Sequence, residues 1–165
     1  PNLFNLVNYD IYDNNRYYAY RQIEKQRRSW CNNNQVITQQ DFGAQTTTDK
    51  PVLRQIRISD IAKHHLEQPK IGQLLFRLVL SLTRKKGAPL NIVELGTSLG
   101  ITTAYLAMPS STNKVTTYEG APEIAELAQT TWRNIGINNI SLILGNIDTT
   151  LCSAPLNKKK QQQKL

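Results

Sequence analysis

The chain has 165 residues, a formal net charge of +8, 39% hydrophobic residues and a mean hydropathy of −0.45. This length suffices for one domain with a hydrophobic core, and no apolar run approaches the roughly 20 residues that span a membrane. Its two cysteines, Cys31 and Cys152, show neither a metal-binding spacing nor a disulfide framework, so we expect a cytoplasmic protein.

The positive charge is distributed unevenly. Residues 51–90 contain eight Lys and Arg against two acids, and residues 158–165 add four lysines, whereas residues 91–157 contain two Lys and Arg against five acids. A basic flank can bind nucleic acid, but basic helices commonly expose their charge to solvent. We therefore expect no nucleic-acid partner, and we keep a non-enzymatic, basic nucleic-acid-binding module as an alternative function.

Residues 1–68 are predicted to form a helical and irregular N-terminal extension. An irregular lead-in, rich in Asn and Asp, occupies residues 1–14. Residues 15–30 favour a helix, in which Glu24 and Arg28 would form an i,i+4 ion pair.

The rest of the extension contains one polar stretch and one short helix. Residues 31–50 are rich in Asn, Gln and Thr and are predicted to form a polar loop. Their Asp-Phe-Gly tripeptide is not accompanied by the other motifs of a protein kinase. A short helix is expected over residues 59–66, with Ser59 as its N-cap. The adjacent His64 and His65 would point in different directions and could not bind one metal ion together.

The clearest helical pattern covers residues 69–86. Its apolar residues recur at intervals of three and four positions: Ile71, Leu74, Leu75, Leu78, Val79 and Leu82. Three basic residues occupy its last turn and Gly87 follows as the stop. The spacing predicts an amphipathic helix whose apolar stripe packs in the core against one side of a sheet.

Residues 91–107, NIVELGTSLGITTAYLA, predict a strand, a glycine-containing turn and a helix, which together open a βαβ unit. Gly96 and Gly100 would let the backbone approach a ligand where a Cβ would collide. The start of the following helix offers free N–H groups. Glu94 is unusual because a carboxylate at the end of an apolar strand needs hydrogen-bond donors, and a ligand amino group would supply them.

Two further strands follow. Residues 114–119 predict a second strand that ends in Glu119, an acid that can accept hydrogen bonds from both hydroxyls of a ribose. A helix is predicted to start at Pro122, with Trp132 on its core-facing stripe. Residues 139–144 predict a third strand.

The order acid, one residue, Gly, three residues, Gly in residues 94–100 resembles motif I of the class I S-adenosylmethionine-dependent methyltransferases. The acid ending the second strand and the Gly-Asn turn after the third follow in that family's order. The segments ELGTSLGITTAYLA and EGAPEIAELAQ look most similar to bacterial O-methyltransferases of small molecules. The resemblance implies an α/β fold: the N-terminal part of a Rossmann-like class I methyltransferase sheet, strands 1 to 3 with their helices, over residues 69–151. A disordered basic tail would occupy residues 152–165.

The resemblance also implies S-adenosyl-L-methionine as the cofactor and a small molecule as the methyl acceptor. The loop and Glu94 would hold the methionyl end, Glu119 the ribose, and Asn146 and Ile147 the adenine. The implied cofactor-binding residues are Glu94, Gly96, Thr97, Ser98, Gly100, Glu119, Gly120, Asn146 and Ile147. Asn146 stands where the family often has Asp, and Asp148 is the nearby alternative. No catalytic residue and no metal ligand is assigned.

The family's sheet has seven strands, and this chain offers three. We therefore expect a truncated chain that holds the cofactor-binding half, exposes its first strand as an edge and is inactive by itself. A fragment of an NAD(P)-dependent Rossmann oxidoreductase is the other enzymatic alternative, although the G-x-G-x-x-G fingerprint is incomplete because residue 98 is Ser. The sequence leaves the oligomeric state open, a homo-oligomer included.

Overall fold

The structure, a computed structural model, describes residues 13, 15–41, 52–147 and 150. The predicted lead-in up to residue 12, the tail from residue 152 and Asp148 lie outside these residues. Helices and strands follow one another in this order: α1 (Tyr18–Cys31), β1 (Val36–Asp41), β2 (Val52–Arg57), α2 (Ile58–His64), α3 (Pro69–Lys86), β3 (Asn91–Leu95), α4 (Ile101–Ala107), β4 (Lys114–Glu119), α5 (Pro122–Ile135) and β5 (Ile140–Leu144).

A parallel sheet with the order β3-β4-β5 forms the centre of the C-terminal part. Helices α4 and α5 are its two crossover connections. The register places Glu94 beside Thr117, and Thr117 beside Leu142, so these three side chains share one face of the sheet. The predicted α/β architecture with three parallel strands is confirmed.

Strand β3 lies at one edge of this sheet among the described residues, as expected. Val93 is 61% exposed and Leu95 is 53% exposed. These two residues lie two positions apart and therefore share one face of the strand, opposite to the face that carries Glu94. The apolar run is thus exposed on one of its two faces and not buried on both.

The predicted polar loop over residues 31–50 is wrong for its first half. Residues Val36–Asp41 form β1, which pairs antiparallel with β2. Ile37 lies opposite Ile56 in this hairpin, and both pack against the hydrophobic core. The polar composition gave no sign of a strand, because the stability of β1 depends on pairing partners 11 to 21 residues further along the chain. Residues 42–50 lie outside the described part.

Two local predictions in the N-terminal part are also corrected. Glu24 forms its ion pair with Arg27, at 3.0 Å, and not with Arg28. Ser59 is not an N-cap: it lies inside α2, is 1% exposed, and its N–H donates to the carbonyl of Asn33 at 2.8 Å. The ion pair is thus made at the i,i+3 spacing of the same helix, whereas the partner of Ser59 comes from a different segment of the chain.

Helix α3 has the predicted bounds and ends at Gly87, whose φ of 62° provides the left-handed C-cap. Its orientation differs from the prediction. The buried residues include Gly72, Phe76 and Val79, whereas Ile71 and Leu82 are 43% and 51% exposed. Helix α3 packs against α4, and the ring of Tyr105 from α4 occupies the space that a Cβ at position 72 would need, so the small residue faces inward.

One hydrophobic cluster unites both parts of the chain. It contains residues from α1 and α2 together with residues of the sheet helices: Ala19, Ile23, Trp30, Ile58, Ile61, Ala62, Phe76, Leu99, Ile101, Ala104, Tyr105, Ala121, Ile124, Ala128 and Trp132. The predicted division at residue 68 stays a prediction, and this core extends across it.

None of the helices in the described ranges is long and apolar enough to cross a lipid bilayer.

Candidate functional site

The turn between β3 and α4 is hydrogen-bonded to the neighbouring strand, β4. The N–H groups of Gly96 and Thr97 donate to the carbonyl of Tyr118 at 3.0 and 3.1 Å. Gly96 has a φ of 87°, and a Cβ added there would meet no atom within 4 Å. Glycine is therefore favoured at position 96 because the backbone there is left-handed. The space beside it is open to a ligand.

Gly100 is required for a different reason from the expected one. Its φ is 73°, and an added Cβ would lie 2.6 Å from Nε1 of Trp132. That nitrogen donates to the carbonyl of Gly100 at 3.0 Å. The close approach at this glycine is thus made by the protein's own indole. Trp132 is 6% exposed and belongs to the core, as predicted.

Glu94 accepts two hydrogen bonds on the same oxygen. Oε2 receives the hydroxyl of Thr103 at 2.5 Å and the hydroxyl of Thr117 at 2.7 Å. Its other oxygen, Oε1, accepts no hydrogen bond from the part of the chain that the structure describes, and it is not fully buried. Burial raises the pKa of Glu94, the two threonine hydrogen bonds oppose that rise, and the charge of Glu119 adds to it.

Glu119 joins the turn to the end of β4. Its Oε2 accepts the N–H of Ser98 at 2.9 Å, and its Oε1 accepts the N–H of Ala121 at 3.0 Å. Ser98 adopts a φ of 50°, which is uncommon for a residue with a side chain. A carboxylate has about four lone-pair positions, so both oxygens keep the capacity to accept a hydroxyl. Glu119 lies two residues beyond Thr117 and therefore shares the sheet face of Glu94.

The end of β5 lies next to Glu119 at the end of β4. The N–H of Gly145 donates to the carbonyl of Glu119 at 2.9 Å. The carbonyl of Asn146 accepts the N–H and the hydroxyl of Thr150 at 2.9 and 2.8 Å, and Ile147 is half-buried beside it. The nine sequence-predicted residues are thus distributed over the carboxyl ends of β3, β4 and β5, the edge at which open α/β sheets bind ligands.

Three residues at this edge were not predicted. Thr103 and Thr117 hold Glu94, and Oε2 of Glu123, in the first turn of α5, is a buried oxygen without a hydrogen-bond partner in the described ranges. The position of Thr117 could have been found, because it is the parallel neighbour of Glu94. The approach of Thr103 depends on how α4 packs on the sheet, which no local pattern indicates.

A separate cleft of about 1020 Å³ lies between the start of α1 and the exposed side of α3. Tyr17, Tyr20 and Arg77 contribute to its lining, and none of the nine predicted site residues does. Within the described ranges, no group of three or more His, Cys, Asp and Glu residues is arranged to hold a metal ion.

No protein-family model and no curated protein matches the sequence. Solved structures do match. A putative O-methyltransferase from Klebsiella pneumoniae is similar over 86% of this chain and 49% of its own, with a TM-score of 0.52 and 15% identity. An O-methyltransferase from Bacillus cereus in complex with SAH is similar over 58% of this chain and 42% of its own, with a TM-score of 0.47 and 27% identity.

The chain thus spans about half of the Klebsiella structure and less than half of the Bacillus structure. At 15% identity, the Klebsiella match shows the fold. It agrees with the parallel order β3-β4-β5 and with the crossover helices described above. The resemblance noted in the sequence is therefore confirmed at the level of architecture, and the chain has the Rossmann-like fold of the class I methyltransferases.

Proposed function

We propose that this chain binds S-adenosyl-L-methionine at the carboxyl edge of β3-β4-β5 and is the cofactor-binding part of an O-methyltransferase that acts on a small molecule. One observation carries the proposal. Glu94 and Glu119 lie on neighbouring parallel strands and share one sheet face, and the turn between them has open space at Gly96.

The donor and acceptor chemistry of these residues fits the cofactor. Oε1 of Glu94, which has no hydrogen-bond partner among the described residues, can accept a hydrogen bond from the methionyl ammonium group. The Glu119 carboxylate keeps lone pairs for the ribose hydroxyls. Asn146 offers an amide and Ile147 an apolar surface for the adenine. The turn residues Gly96, Thr97, Ser98 and Gly100, together with Gly120, complete the proposed set.

When bound, the cofactor supplies a methyl group on a sulfonium centre for in-line displacement. The residues of this chain would contribute by holding its two ends in a fixed orientation, a contribution based on proximity and alignment. No residue is proposed as a general base.

The whole protein's turnover and its methyl acceptor are proposals, since the chain spans about half of the matched structures. We expect the 165-residue chain by itself to bind the cofactor without methyl transfer. A cytoplasmic setting belongs to the same proposal and is supported by the sequence, whose two cysteines show no disulfide framework.

Isothermal titration calorimetry with S-adenosylhomocysteine tests the proposal. The wild-type chain is expected to bind it, and Glu119→Ala is expected to bind it at least about tenfold more weakly, because a charge-assisted hydrogen bond is lost. Glu126→Ala, which removes an exposed acid of α5, is the matched control and should bind like the wild type.

Three other results would contradict the proposal. Binding of NAD⁺ or NADP⁺ without binding of S-adenosylhomocysteine would favour an oxidoreductase. Binding of an oligonucleotide that weakens steeply with salt and is unaffected by Glu119→Ala would favour a nucleic-acid-binding module. Equal affinities of Glu119→Ala and the wild type for S-adenosylhomocysteine would place the ribose elsewhere.

A further inference from the structure

Among the described residues, the carboxylate of Glu94 accepts hydrogen bonds on one oxygen, Oε2. Thr103 approaches from α4 and Thr117 from β4, and both hydroxyls donate to Oε2, at 2.5 and 2.7 Å. Thr103 and Thr117 are both 0% exposed, so water does not compete for these hydrogen bonds. The arrangement fixes the rotation of the carboxylate and leaves Oε1 as the oxygen that accepts no hydrogen bond from the described residues.

A third threonine connects this pair to the turn. Oγ1 of Thr97 lies 2.6 Å from Oγ1 of Thr117 and 3.1 Å from the carbonyl of Tyr118. Each hydroxyl has one proton to donate. Since Thr117 donates its proton to Glu94, its oxygen is an acceptor for the hydroxyl of Thr97, and the carbonyl of Tyr118 is the other acceptor within reach of that hydroxyl. The turn is therefore in hydrogen-bond contact with one of the two threonines that hold the carboxylate.

We propose that Thr103 and Thr117 are positioning residues that aim Oε1 of Glu94 at the ammonium group of the ligand and so make the site selective for ligands with an α-amino group. The inference rests on the proposed function. It goes further by assigning the recognition of one ligand group to two residues that do not themselves contact the ligand.

A purely structural role would have a different signature. If the two hydroxyls only satisfied a buried carboxylate, removing one would lower stability and would weaken the binding of every ligand at this edge to a similar extent. A positioning role instead weakens ligands that contain the amino group and spares those that lack it. S-Adenosylhomocysteine contains that group, and 5′-methylthioadenosine shares the adenosine part without it.

The chain offers matched controls for both residues. Thr103 is preceded by Thr102 and Thr117 by Thr116, and these neighbours are partly exposed. On a strand, adjacent side chains point to opposite faces, and on a helix they are about 100° apart. Thr102→Val and Thr116→Val therefore make the same chemical change without touching Glu94.

Calorimetry with both ligands tests the proposal. Thr103→Val and Thr117→Val are expected to bind S-adenosylhomocysteine about tenfold more weakly, because the carboxylate is no longer oriented. They are expected to bind 5′-methylthioadenosine within about twofold of the wild type. Thr103→Ser and Thr117→Ser keep the hydroxyl and should restore the affinity, which guards against a variant that fails to fold.

The possible outcomes are distinct. Wild-type affinity of both valine variants for S-adenosylhomocysteine would overturn the inference, as would an equal loss for the two ligands or a failure of serine to rescue. If the wild-type chain bound neither ligand, the proposed function itself would fail, and this result is separable from the others because it precedes any substitution.

Discussion

Burial of Glu94 disfavours the charged carboxylate that its proposed role requires. Burial raises the pKa of its carboxyl above the ordinary value of 4.5, although two hydroxyls donate to it. A group protonated more readily in the folded chain than in the unfolded chain stabilises the fold at low pH. Its contribution is fully present below about pH 4.5 and is lost as the pH rises through the raised pKa.

The first prediction concerns this residue. Replacing Glu94 by Gln removes the titration while keeping an oxygen that can accept from Thr103 and Thr117. We expect the free energy of unfolding of the wild type, relative to that of Glu94→Gln, to fall as the pH rises above 4.5, because only the wild type must then bury a charge. Urea denaturation at a series of pH values measures this difference.

Glu126→Gln provides the control, because Glu126 is exposed on α5. The difference between this variant and the wild type should be small at every pH. A difference for Glu94→Gln that does not vary with pH would contradict the assignment of a raised pKa to Glu94.

At the level of elements, the first helix is fastened to the turn of the candidate site. Nε1 of Trp30 in α1 donates to Oγ1 of Thr131 in α5 at 2.8 Å, and the hydroxyl of Thr131 donates to the carbonyl of Leu99 at 2.6 Å. Trp30 is 6% exposed and Thr131 is 0% exposed. A single hydroxyl therefore connects α1, α5 and the residue just before Gly100.

The second prediction tests this connection. Thr131→Val keeps the shape of the side chain but leaves a buried indole N–H and a buried carbonyl without partners. We expect the free energy of unfolding to fall by about 2–6 kcal/mol, the sum of the costs of two unsatisfied polar groups. Chemical denaturation gives the value.

The adjacent Thr130 is the matched control. Its hydroxyl donates to the carbonyl of Glu126 at an exposed position, so Thr130→Val should change the free energy of unfolding by no more than about 0.5 kcal/mol. Equal losses for the two variants would mean that the link from α1 to the turn is not the cause.

At the level of the whole molecule, the sheet has an exposed apolar edge. Among the described residues, β3 pairs with β4 and with no second strand, and Val93 and Leu95 are more than half exposed. Unpaired backbone groups next to apolar side chains promote pairing with another chain. We therefore expect the 165-residue chain to self-associate at high concentration.

The third prediction follows from this edge. Val93→Lys should lower the self-association of the chain, because a charged side chain on an edge strand opposes pairing. Leu82→Lys is the control: Leu82 is 51% exposed on α3, where the backbone is already hydrogen-bonded within the helix. Light scattering across a concentration series compares them. An equal effect of both substitutions would show that exposed apolar area, and not the strand edge, causes the association.

Elements whose signals are local could be predicted from the amino-acid sequence. Helix α3 was predicted with its observed bounds because an apolar period, a basic last turn and a terminal glycine coincide. The three parallel strands were predicted because short apolar runs alternate with helical patterns. The positions of Glu94 and Glu119 at the strand ends follow from the same alternation, since parallel strands bring their carboxyl ends to one edge.

Features that depend on partners far apart in the sequence could not be predicted and are seen in the folded chain. Strand β1 forms because β2 pairs with it, and α3 presents Gly72 to the core because the ring of Tyr105 requires the space. Gly100 is glycine because Trp132 lies against it, and Glu94 is satisfied by Thr103, nine residues further along the chain and on another element. The physical reason is common to all four. Backbone propensity and side-chain period are properties of a segment, whereas pairing, close packing and the satisfaction of a buried charge are properties of two segments that meet only in the folded chain.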